Sequence, residues 1–144
     1  TALTDVLGLQ SNPLDKKYKR IFMSNQDTTI QELLDLCLKF RDDRDWKQFH
    51  TPKDLTVAMA IEVSEILEHF RFKSDAEIAD ELKDNQKRLE IGYELADTLY
   101  FLLVLSDAIG VDIADVFKEN LKITAEKYPI HLSKGSNKKY TQFV

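Results

Sequence analysis

Leu95-Ala96-Asp97-Thr98-Leu99-Tyr100-Phe101-Leu102-Leu103-Val104-Leu105 interrupts an apolar run only at Asp97 and Thr98. Drawn as a helix, it presents apolar side chains on nearly every side, the pattern of a helix buried all round. Gly110 stops it. Upstream the helical pattern reaches back to Ser74 and Glu77, which have capping-box spacing, and a break is expected near Asp84-Asn85. Thr51-Pro52 sets an N-cap before proline at the first helical position, opening a helix to about His69. Thr29 and Glu32 repeat the capping box for a helix toward Asp45. Asp112 caps a last helix ending near Tyr128-Pro129, and the polar tail from Ile130 to Val144 reads as an irregular strap.

The chain has only 4 Gly and 3 Pro in 144 residues, too few turn-makers for propellers, sandwiches or hairpin-rich barrels. The expected fold is therefore all-α, a four-helix bundle. Its all-round apolar helix has too few neighbours within one short chain, so subunit contacts are expected to complete its burial. Hydrophobic residues at 43% and charged residues at 31% describe a globular domain rather than a disordered chain. The net charge of −5 argues against nucleic acid as the main partner.

Cys37 is the one cysteine, which excludes an intrachain disulfide and a cysteine zinc site; it reads as a small core residue in a reducing compartment. No apolar run is long enough to span a membrane and no signal-peptide pattern is present, so a cytoplasmic protein is expected. Residues 1–22 differ from the rest, with the turn-like Ser11-Asn12-Pro13 and the basic run Lys16-Lys17-Tyr18-Lys19-Arg20. They are read as an upstream or artificially added extension before a domain spanning 23–144. A basic arm for nucleic acid is the less favoured reading, because the body is acidic.

The two middle helices carry unusual chemistry. With Glu62 at zero on a wheel advancing about 100° per residue, Leu55, Ile66, Met59, Phe70 and Val63 fall between about 20° and 100°. Glu62 sits at the edge of that stripe, with Glu65 one turn on. Glu94 and Asp97 are i, i+3 neighbours on the long helix, on a strip that continues through Phe101, Val104 and Leu105. A carboxylate so placed is costly to bury without a partner. Yet no Lys or Arg lies between Leu55 and Phe70, or between Leu89 and Phe117. Four facing carboxylates would repel, and a divalent cation resolves the conflict. An all-oxygen donor set suits Mg²⁺, with Mn²⁺ as a substitute, rather than zinc. Wetted acids that bind nothing are the plainer reading for one such pair, less so for two. A di-iron bundle needs Glu-x-x-His motifs, and the chain has none.

Glu62-Val63-Ser64-Glu65 followed by Glu94-Leu95-Ala96-Asp97 resembles the ExxE…ExxD signature of the MazG-like all-α nucleoside triphosphate pyrophosphohydrolases. Three flanking stretches are similar to the dCTP pyrophosphatase branch: Arg44-Asp45-Trp46-Lys47-Gln48-Phe49-His50, Phe72-Lys73-Ser74-Asp75, and Lys127-Tyr128-Pro129-Ile130-His131-Leu132-Ser133. The similarity runs from about Thr28 to Phe143. It implies hydrolysis of a nucleoside triphosphate, preferably a deoxynucleotide, to monophosphate and pyrophosphate. It also implies Mg²⁺ held by Glu62, Glu65, Glu94 and Asp97, and a homotetramer built as a dimer of dimers with active sites near subunit contacts.

Glu65, with Glu62 beside it, is the candidate to orient or deprotonate the attacking water. Trp46 resembles the aromatic residue lining the family's base pocket, and His50 belongs to the same segment. Phe72 stands where relatives often have Trp, and Phe101 where some have Tyr. Asn120 and Thr124 stand where relatives carry Lys and Asn, and Lys127 is a nearby cation for phosphate. Phe40, Phe49, Phe70 and Phe117 are read as core. Two non-enzymatic readings stand beside this one: a nucleotide-binding or sensing helical oligomer, and a purely structural oligomeriser.

Overall fold

The computed structural model describes residues 27–143, so the expected extension at 1–22 lies outside the described residues. The elements run α1 (Ile30–Asp42), a 3₁₀ turn (Trp46–Phe49), α2 (Pro52–Phe70), α3 (Asp75–Glu81) and α4 (Asn85–Ala108). They continue with α5 (Ile113–Lys127), α6 (Ile130–Ser133) and a final 3₁₀ turn (Tyr140–Gln142). No strand occurs among the described residues. The fold is all-α, as expected. No described helix is long and apolar enough to cross a membrane.

The start signals act as the sequence suggests. Thr29 with Glu32 and Ser74 with Glu77 form complete capping boxes, satisfying helix-end N–H groups that would otherwise be orphaned. Thr51 accepts from the Asp54 N–H ahead of Pro52, and Asp112 accepts from that of Asp115. Asp84 caps α4 by accepting from the Gln86 N–H, which turns the expected break into a true boundary between α3 and α4. Gly110 follows α4 at φ +71°, a left-handed conformation that glycine adopts without a Cβ penalty. Two features depart from the reading. α1 ends at Asp42, and Trp46–Phe49 is a separate 3₁₀ turn entered through a left-handed Asp45 at φ 54°. The tail also holds the short helix α6 rather than a wholly irregular strap.

The central packing is α2 against α4, with α1 laid across α4. Leu55 of α2 and Leu103 and Val104 of α4 are fully buried, joined by Leu89 and Ile91. Arg41 is the one buried charge among the described residues; it pairs with Asp42 at 2.7 Å and Asp107 at 3.5 Å, tying the end of α1 to the end of α4.

Within the single chain, however, α4 is not buried all round. Leu95 is 55% exposed, and Tyr93 and Leu99 are open as well. The expected aromatic core also needs correction. Phe49 and Phe117 are exposed, Phe40 is largely so, and only Phe70 is half-buried. Periodicity identifies an apolar face, but whether a partner element covers it is decided by the fold.

Candidate active site

The antiparallel packing of α2 on α4 brings the two acidic pairs together. Carboxylate oxygens of Glu62, Glu65 and Glu94 lie within 4.8 Å of one another. Glu62 and Glu94 are half-buried, whereas Glu65 is exposed. Asp97 stands outside this tight group, one turn beyond Glu94, and is exposed; with Glu62 it lines the adjoining cleft. No described Lys, Arg or His forms an ion pair with any of the four. Burial first, then the charges of Glu65, Asp97 and Glu94, push the Glu62 carboxyl above the ordinary glutamate range. Convergent oxygen donors without a compensating charge fit a hard divalent cation.

Beside these acids opens a cleft of about 460 Å³ lined by Leu36, Cys37 and Phe40 of α1, Trp46, Glu62, and Asp97, Tyr100 and Phe101 of α4. It is aromatic at one end and acidic at the other. Phe40 is the hub of the aromatic end. Its ring meets Trp46 edge-on at 5.8 Å and Tyr100 at 5.9 Å, while the Arg44 guanidinium covers it at 3.7 Å. Trp46 remains 42% exposed, leaving ring surface free for a flat ligand. His50 lies behind this wall, edge-on to Tyr100 at 6.4 Å. Burial, then the nearby Arg41 charge, hold its imidazole below the ordinary histidine range, so it is neutral at pH 7.

The structure thus gathers Glu62, Asp97, Trp46 and Phe101 around one cleft, with Glu65 and Glu94 at its acidic end. Phe72 is not among the lining residues. It is 93% exposed beyond the end of α2, at φ 59° with the Arg71 guanidinium 4.7 Å over its ring. Asn120, Thr124 and Lys127 do not line the cleft either. They recur at i, i+4 and i+7 on α5, which places them on one face of that helix. Cys37, read as core, is half-buried and lines the cleft, and burial pushes its thiol up. Leu36, Phe40 and Tyr100 were invisible as site residues. Their role depends on the crossing of α1 over α4, and only the pattern Leu36-Cys37-Phe40 facing one way on α1 hinted at a shared wall.

The model of the MazG-like family matches residues 57–143. The chain belongs to the MazG-like family. This MazG-like chain is 34% identical over 127 residues to dCTP pyrophosphatase 1 of Mus musculus, covering 88% of the chain and 75% of that protein. It is 32% identical over 121 residues to dCTP pyrophosphatase 1 of Homo sapiens, covering 84% and 71%. Among solved structures, a pyrophosphatase from Archaeoglobus fulgidus superposes with a TM-score of 0.64 at 37% identity, covering 69% of this chain and 92% of that one. The MazG-like chain is accordingly an enzyme of the pyrophosphohydrolase kind.

Proposed function

We propose that this MazG-like chain hydrolyses (deoxy)nucleoside triphosphates, dNTPs such as dCTP among them, to nucleoside monophosphate and pyrophosphate. The reaction depends on Mg²⁺, with Mn²⁺ as a substitute, and serves to cleanse or balance the nucleotide pool of the cytoplasm. The observation that carries this reading is the meeting of uncompensated Glu62, Glu65 and Glu94 at the acidic end of an aromatic cleft. Relatives named dCTP pyrophosphatase 1 support the substrate class.

Glu62, Glu65, Glu94 and Asp97 are the residues that would hold the cation, which supplies charge neutralisation and polarisation at the α-phosphate. Glu65 is the exposed member of the tight group. It is therefore reached by solvent and suited to orient the attacking water and accept its proton. Trp46 offers its exposed face to the base, and neutral His50 supports the wall behind it. Trp46→Ala is expected to weaken substrate by about 1–3 kcal/mol if the ring stacks on the base. A KM series at fixed Mg²⁺ reads this, and the metal dependence should stay unchanged.

The α5 face bearing Asn120, Thr124 and Lys127 also carries exposed Val116 and Phe117. In an oligomer, a tetramer assembled as a dimer of dimers, such a face can complete the phosphate end of a neighbour's cleft, with Phe72 closing its base end.

The deciding experiment is a panel of dNTPs and NTPs with Mg²⁺ in ¹⁸O-labelled water. Water attack at the α-phosphorus puts ¹⁸O into the monophosphate and releases intact pyrophosphate. Diphosphate and inorganic phosphate as products would remove the chain from this reaction class. A uniform preference for ribonucleotides would overturn the dNTP assignment.

A further inference from the structure

Two buried polar atoms, Oη of the cleft-lining Tyr100 and Nδ1 of His50 behind the wall, have no hydrogen-bond partner among the described residues. A buried phenol normally finds one, and a phenylalanine would fill the same space without the unsatisfied oxygen. Tyr100 itself lines the cleft, its ring edge-on to Phe101 at 5.2 Å and to Phe40 at 5.9 Å. Burial first, then Cys37, push the phenol upward, so it stays protonated at neutral pH and is a donor. Cys37 of α1 lines the same cleft as Tyr100. The hydroxyl is shielded from bulk water. Phe40 and Trp46 are each more than 40% exposed.

We infer that Tyr100, in the wall of the Phe40–Trp46–Phe101 cleft, is a specificity-determining residue whose hydroxyl donates a hydrogen bond to an acceptor on the polar edge of a nucleobase seated there. Such a bond requires the Phe40 ring, edge-on to Tyr100 at 5.9 Å, to give way as the base enters, because the oxygen is buried. The cleft's other aromatic side chains hold any base by its faces, which every base possesses, and so discriminate little. A buried donor is different, because a base that presents no acceptor at that point leaves it unpaired, which is where strong discrimination arises. This inference rests on the nucleotide reading above and names a residue that selects the substrate.

The test is Tyr100→Phe, assayed for pyrophosphate release with each of the four dNTPs and, in parallel, for equilibrium binding of their non-hydrolysable α,β-imido analogues. The expected result is a roughly tenfold loss for the preferred base, the scale of one buried hydrogen bond, with the others within about threefold. The melting temperature should be unchanged or higher, because an unsatisfied group has gone. An unaltered ranking and spread among the four bases overturns the inference. So does a uniform fall for all four together with a lower melting temperature, which would make the hydroxyl structural. A wild-type chain that releases pyrophosphate from none of the nucleotides defeats the proposed reaction instead, and the imido-analogue ranking then still decides the role of Tyr100.

Discussion

Glu94→Gln is expected to lower pyrophosphate release by about three orders of magnitude or more while leaving the helical fold intact, and Glu62→Gln, Glu65→Gln and Asp97→Asn should behave alike. The size follows from what each loss would remove under the proposed reaction: a ligand charge to a cation that would offset a polyanionic substrate at the reacting phosphorus. The fold survives because none of these carboxylates has an ion pair to lose among the described residues, and Glu62 is under strain from its neighbours. Steady-state turnover at saturating Mg²⁺ checks the claim. Two of the four variants retaining most of the wild-type kcat would show the site to be misassigned.

The burial of Glu62, together with the same repulsion, carries a pH signature. Glu62 titrates higher in the folded chain than unfolded. Its contribution to stability is therefore fullest below the ordinary glutamate pKa, near 4.3, and is lost as pH rises through the elevated folded value. Melts in chelator should show the wild type losing stability over that interval and Glu62→Gln losing less. Divalent cation should restore the wild type but not the variant.

Leu103→Asp should abolish cooperative folding. Leu103 is 1% exposed, as fully buried as Val104 at 0% and Leu55 of the packed α2 at 1%. An unpaired carboxylate there has no cation among its neighbours on α4, where no Lys or Arg occurs between Leu89 and Phe117. Its burial cost is about 4 kcal/mol or more, added to the lost leucine packing, against a domain stability of about 5–15 kcal/mol. A thermal melt followed by circular dichroism gives the readout, and a cooperative transition near that of the wild type would refute it. Leu95→Asp, eight residues earlier on the same apolar helix, is the contrast. That residue is 55% exposed in the single chain, so the variant should fold. Sedimentation velocity should then show a smaller species than the wild type, if α4 is covered by another copy.

The pair Leu103 and Leu95 shows how far the sequence reaches. Both belong to the run that reads as buried on every side, yet one lies at the core and the other at the surface of the chain. Helix starts, by contrast, were legible to the residue. Thr29, Thr51, Ser74 and Asp112 all cap as their spacing implies, because a cap involves only atoms within one turn. The end of α1 was not, since the left-handed Asp45 that starts the Trp46 turn has no strong local signature.

The acidic pairs were equally local in origin. Glu62 with Glu65 and Glu94 with Asp97 follow from i, i+3 spacing, and the absence of lysine and arginine from those stretches foretells an uncompensated site. What the sequence by itself determined, then, is the all-α class, the helix starts and the four acids, each set by contacts within a turn or by composition. Only the tertiary structure decided that Glu62, Glu65 and Glu94 meet while Asp97 stands toward the cleft, and that Leu36, Cys37, Phe40 and Tyr100 share its wall with Trp46 and Phe101. Those placements depend on how α1 and α2 cross α4. That crossing is settled by the fit of side chains distant in sequence, which no local period encodes.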